Sequence, residues 1–105
     1  MAIDQEIDGV NVCLLTVGTR LVIETSNSFY EMEILENQPI QIFGGTLNNG
    51  QIRFKKPTPM FLHGSTWGGS SIKLDWICVG MNMEMSFGGH ESITTSKVKR
   101  IKITI

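Results

Sequence analysis

The chain has 105 residues, 41% of them apolar and 18% charged, with a formal net charge of −1. That is enough apolar material for one modest core, too little for two, and too much for a disordered chain. Bulk charge points to no polyanionic partner, although residues 1–36 hold seven acids against the single base Arg20 and residues 53–102 hold eight bases against three acids.

Residues 1–9 read as a polar lead-in that orders only by pairing with a sheet edge. Because Asp4, Glu6 and Asp8 fall here, neither a signal peptide nor a membrane span is expected, and a cytosolic, cytoplasmic location follows. Val12-Cys13-Leu14-Leu15 is a continuous apolar block that periodicity leaves open between one helical turn and a buried strand, ended by Gly18. Cys13 and Cys78 both lie in apolar runs and are read as reduced, buried thiols.

Thr19 to Thr25 alternates, with Leu21 and Ile23 on one face. Phe29 to Leu35 alternates with Tyr30, Met32 and Ile34 inward and Glu31 and Glu33 outward. Ser26-Asn27-Ser28 between them spells a hairpin, with Asn27 suited to a left-handed or Asx-turn conformation. Ile40 to Phe43 ends at the pair Gly44-Gly45, and Asn48-Asn49-Gly50 is the best type I′ turn signal in the chain. Gln51 to Lys55 returns with Ile52 and Phe54 inward, Lys56-Pro57-Thr58-Pro59 breaks it, and Met60 to His63 is a short strand entering the loop Gly64 to Ser71.

Ile72 to Phe87 is the longest apolar-periodic run and reads as one long, bent strand. Ile72, Leu74 and Trp76 share one phase, whereas Ile77, Val79, Met81, Met83, Met85 and Phe87 share the other. The slip at Trp76-Ile77 places a bulge or a change of sheet there, with both residues buried. The methionine stripe reads as core filler and, if the isoleucines already fill the core, as a subunit interface. Thr95 and Ser96 precede Val98 and Ile101, a three-residue spacing that fits a single 3-10 turn before a last strand.

These runs of four to eight residues, punctuated by Gly, Asn and Pro, predict an all-β single domain over 1–105. The architecture expected is a small, partly open barrel of five to seven mostly antiparallel strands, with a β-sandwich as the alternative. The long bent strand and the Thr95-Ser96-x-Val98-x-x-Ile101 turn resemble small barrels of the Src-homology-3-like or Sm-like kind. Thr25-Ser26-Asn27-Ser28-Phe29-Tyr30 and Gly64-Ser65-Thr66-Trp67-Gly68-Gly69-Ser70 also resemble stretches of uncharacterised bacterial proteins, a likeness that implies no activity.

Two groups of residues are candidate sites. Ser65, Thr66, Trp67 and Ser70 form a Gly/Ser loop whose amides and hydroxyls could hold a phosphate or a small polar ligand. It lacks the Gly-Lys-Ser/Thr ending of a phosphate loop, and Thr66 stands where a nucleophile elbow needs serine. Arg53, Lys55 and Lys56 with Lys97, Lys99, Arg100 and Lys102 would form a nucleic-acid-binding patch if folding gathers them. His63 and His90 match no metal-ligand spacing; His63 with Asp75 or Ser65 is the nearest approach to an acid–base pair. No cofactor or metal is expected, and enzyme activity is disfavoured because no nucleophile–base pair or carboxylate dyad can be named.

The leading reading is therefore a non-enzymatic protein-interaction or structural module of a cytosolic, bacterial protein, its partner a protein or itself. A homo-oligomer is expected on the ground that Ile101, Ile103 and Ile105 leave an apolar edge to cover. The alternative is a nucleic-acid-binding small barrel using the basic segments at 53–56 and 97–102.

Overall fold

The computed structural model describes residues 4–36, 40–46, 52–67, 72–86 and 92–104. In chain order it contains strands β1 (Asp4–Ile7) and β2 (Gly9–Asn11), a 3-10 turn (Val12–Leu14), and strands β3 (Arg20–Thr25), β4 (Phe29–Ile34) and β5 (Ile40–Thr46). These are followed by β6 (Ile52–Thr66), β7 (Ile72–Leu74), β8 (Trp76–Cys78), β9 (Asn82–Ser86) and β10 (Ser92–Thr104). Strands β3, β4, β5, β6, β9 and β10 pair successively and antiparallel, and β10 returns to β3 through Leu21↔Ile103 and Ile23↔Ile101. The ring is thus a closed six-stranded barrel. Closure excludes the sandwich alternative and removes the sheet edges inside the ring.

Alternation decides what fills it. Leu21, Ile23, Tyr30, Met32, Ile42, Met60, Met83, Met85, Val98 and Ile101 are each no more than 2% exposed and form the core. The inward phases of β3, β4 and β5 are those their sequences announce. The methionine stripe is core, with Met83 and Met85 fully buried. Ile101 and Ile103 are core as well, and β1 pairs along the same stretch of β10 through Glu6↔Lys102 and Ile7↔Ile101. The apolar edge offered as the reason for an oligomer is therefore occupied by the chain itself; Ile105 lies outside the described residues.

Several expectations need correction. Ile72 to Phe87 is not one strand. Asp75 adopts φ 65° and Gly80 φ 92°, and these left-handed positions divide the run into β7, β8 and β9. Strand β7 pairs with the end of β6, β8 pairs with β2 in a separate two-stranded ladder, and β9 re-enters the barrel. The phase slip is real, because Leu74 is exposed whereas Ile77 is buried, but Trp76 is only half-buried, with the Lys73 ammonium 4.1 Å from its ring centroid. The long bent strands are instead β6 and β10.

Strand β6 runs straight through Lys56-Pro57-Thr58-Pro59, which was expected to break it. Its ladder to β5 jumps from Ile42↔Thr58 to Gly44↔Phe54, so the extra residues around Pro57 form a bulge, one of the few places where a strand tolerates a missing N–H. Gly44, expected to end its strand, is the β5 side of that irregularity, with φ 97° and Phe29 O only 2.8 Å from where a Cβ would stand. The spacing of Val98 and Ile101 is likewise no 3-10 turn but a bulge. Val98 pairs with Thr25 and Arg100 with Glu24, leaving Lys99 as the extra residue inside a continuous β10.

The β3–β4 hairpin closes as expected, but by Thr25. Its Oγ1 accepts from the Ser28 N–H at 3.0 Å and the Asn27 N–H at 3.4 Å. Asn27 does not adopt positive φ. The Asn48-Asn49-Gly50 turn lies outside the described residues, although the hairpin it would close is present, with Thr46↔Ile52 paired. Val12–Leu14 takes the helical-turn option, capped by Asn11 Oδ1, which accepts from the Cys13 N–H at 3.0 Å. Val12 is buried there and Cys13 exposed, so the expectation of two buried thiols fails at Cys13; the two cysteines form no disulfide.

Candidate interaction surface

Inward alternation on β10, β3, β4 and β5 leaves an equally regular outward set. Register aligns it in rows that run across the strands: Arg100, Glu24 and Phe29; then Lys102, Val22, Glu31 and Phe43; then Thr104, Arg20, Glu33 and Gln41. Phe29 is 59% exposed and Phe43 37%. With Val22 they put three apolar side chains on a polar face, Phe29 and Phe43 both on the β4–β5 side of Val22, beside a groove of about 450 Å³ lined by Val22, Glu31, Glu33 and Phe43. Exposed aromatics beside a concavity are what an interaction site needs and what a solvated strand face does not.

The charges around these side chains are mostly paired. Arg20 Nε lies 3.4 Å from Glu33 Oε1, Arg100 Nε 3.0 Å from Glu6 Oε1, and Arg100 Nη1 3.9 Å from Glu24 Oε1. Each pair is largely solvent-exposed and contributes little to stability. Their effect is to fix where the long side chains point. Among the described residues, Glu31 and Lys102 have no ion-pair partner. They stand in one row on either side of Val22, about 10 Å apart across two strand spacings.

The Gly/Ser segment is placed differently from a loop. Ser65 and Thr66 belong to β6 and are buried at 0% and 1% exposure. Ser65 Oγ donates to the Trp76 carbonyl at 2.7 Å and accepts from the Cys78 N–H at 3.1 Å, fastening β8 to the barrel wall. Trp67 is exposed, and Ser70 lies outside the described residues. Gly64 has φ 149°, and a Cβ there would collide with the Lys73 carbonyl, so glycine is what lets β7 approach β6.

Lys97, Lys99, Arg100 and Lys102 are exposed along β10. Lys56 is exposed on β6; the side chains of Arg53 and Lys55 are outside the description. Around the barrel the two groups are separated by β3, β4 and β5 in one direction and by β9 alone in the other. His63 Nε2 lies 2.7 Å from Ser86 Oγ, so its side-chain partner is Ser86 and not Asp75 or Ser65. Ser86 is 5% exposed and thus enclosed. His90 is outside the described residues. Among the described residues no three His, Cys, Asp or Glu side chains gather as metal ligands, and no helix is long and apolar enough to cross a membrane.

Sequence reasoning missed the Phe29–Val22–Phe43 face. The signal was present: Phe29 shares its outward phase with Glu31 and Glu33, so an aromatic occupies a position that alternation assigns to solvent. No family model, curated protein or solved structure matches this chain.

Proposed function

We propose that this protein is a non-enzymatic interaction or structural module of a cytosolic protein, and that it docks a protein partner through the outer face of β10, β3, β4 and β5. The observation that carries the reading is the exposure of Phe29 and Phe43 on the β4–β5 side of Val22, with Phe43 lining a groove at which Arg20 and Glu33 are ion-paired. Interfaces concentrate aromatic residues at their centre and charge at the rim. The small closed barrel supplies a rigid platform, a role in keeping with its likeness to Src-homology-3-like domains.

A photo-crosslinking amino acid placed at Val22 tests the reading in the cell. Discrete protein products are expected there, abolished by Phe29→Glu and absent when the probe sits at exposed Thr94. No product from Val22 would refute it. The nucleic-acid alternative rests on the four cations of β10, Lys97, Lys99, Arg100 and Lys102. It would displace the docking reading if oligonucleotides bound with a steep salt dependence that vanished when those four residues became glutamine.

A further inference from the structure

We infer that the partner seated on this face is a second copy of the chain, packed about a two-fold axis that runs along β3 over Val22. The inference rests on the docking reading above and names its occupant. A two-fold interface brings each patch against itself, so a residue on one side of the axis meets whatever lies at the same height on the other side. With the axis along β3, strand β10 of one protomer faces β4 of its partner.

The rows then decide. In the row Lys102, Val22, Glu31, Val22 packs on its own copy, and each Lys102 meets a Glu31 carboxylate across the interface, twice by symmetry. Neither charge has an ion-pair partner within its own chain among the described residues. In the row Arg100, Glu24, Phe29, the Arg100 guanidinium comes to the exposed ring of Phe29, a cation–π arrangement. The residues on the axis besides Val22 are Glu24 and Arg20, which would meet their own copies. Each is already engaged within its own chain, Glu24 with Arg100 and Arg20 with Glu33, so their side chains are drawn off the axis.

Turning the axis across the strands reverses the outcome. Lys102 would then meet Lys102 and Glu31 would meet Glu31, each unpaired charge against its like. The face is therefore self-complementary in one orientation, and its strands keep the common direction of aligned sheet packing. Sheets packed in this way stand about 10 Å apart, within reach of Lys and Glu side chains from opposite faces.

Analytical ultracentrifugation at tens of micromolar tests the arrangement by charge reversal. The wild-type chain is expected to sediment at twice its 11.7 kDa mass. Glu31→Lys and Lys102→Glu should each weaken the dimer by more than about tenfold, because each sets like charges face to face at two places. Mixing the two single variants should restore a dimer, now a heterodimer with every contact opposite in sign, and the double variant should dimerise alone. Circular dichroism of each variant reports the barrel independently of association. Should a reversal fail to fold, Val22→Asp, which sets two carboxylates on the axis, must yield a folded monomer. A dimer that persists in both single variants, or a mixture that stays monomeric, overturns the proposal. A monomeric wild-type chain whose Val22 probe still cross-links other proteins overturns it while leaving the docking reading intact; a monomer with no products removes both.

Discussion

A hydroxyl placed in a barrel wall must find partners inside the protein, since water does not reach it. Ser65 finds two, and they belong to a strand the barrel ladder does not otherwise hold. By accepting from the Cys78 N–H and donating to the Trp76 carbonyl, it completes two backbone groups of β8, whose other edge pairs with β2. Ser65→Ala would strip both groups of their partner while leaving them next to buried Ile77. The expected cost is about 1–3 kcal/mol, the penalty for leaving buried polar groups unsatisfied, read as a lower urea midpoint at constant slope. A change of a few tenths would show that water replaces the hydroxyl. Thr95 acts likewise on the opposite side of β9, its Oγ1 accepting from the Met83 N–H at 3.1 Å and donating to the Ser96 carbonyl at 2.8 Å. Residues of a type often found in ligand loops thus serve here as internal fasteners.

At the level of the element, the bulge at Lys99 sets which face of β10 is buried. The extra residue lets Val98 and Ile101, three apart, both point into the core, and it sends Lys99 and Arg100 outward together. Deleting Lys99 would leave Val98 and Ile101 two apart, so strict alternation keeps Val98, Ile101 and Ile103 inward and the strand loses only the bend of its bulge. The deletion variant is expected to keep its native near-ultraviolet circular dichroism. Lys99→Ala, which keeps the count, should stay within about 0.5 kcal/mol of the parent. Loss of the native spectrum in the deletion would mean that the ring needs the bend as well as the phase. The same bulge shows what sequence can and cannot reveal. Period-two patterns in β3 and β4 specify their inward faces unambiguously, because Glu31 and Glu33 alternate with Tyr30, Met32 and Ile34. A three-residue spacing in β10 is equally compatible with a helical turn and a bulged strand, and only pairing to Thr25 and Glu24 separates them. Pro57 and Pro59 read as a break because their tolerance depends on a bulge opposite Gly44, which only the pairing of β5 with β6 reveals. Ile72 to Phe87 misleads for a related reason: apolar phase persists through Asp75 and Gly80 although the backbone turns at both. The candidate interaction face was legible only as Phe29 at an outward position, since its width comes from four strands brought together by register.

Across the whole molecule, the question is whether the small β2–β8 ladder is a part of the barrel or an appendage to it. It has only three residue pairs, too few to persist alone. Its attachments are of three kinds. Ile77 is fully buried in the common core, the Ser65 hydroxyl holds the β8 backbone, and the Asp75 N–H donates to the His63 carbonyl of β6 at 3.1 Å. The ring closes only when β3 pairs with β10, some eighty residues away, so most stabilising contacts are non-local and form together. Such a molecule is expected to unfold in one cooperative step. Trp76, the β8 residue that pairs with Asn11, is half-buried and reports the ladder by fluorescence, whereas far-ultraviolet circular dichroism reports the barrel. With Trp67→Phe removing the other indole, the two signals should trace the same urea midpoint. Because Ile77 is fully enclosed, Ile77→Ala should lower both midpoints together by about 2–5 kcal/mol of stability, the range for emptying a core aliphatic site. Loss of the Trp76 signal well before the circular dichroism changes would show instead that the ladder melts from a barrel that stands without it. In that event the Ser65 hydrogen bonds would be a surface fastening rather than part of the cooperative core.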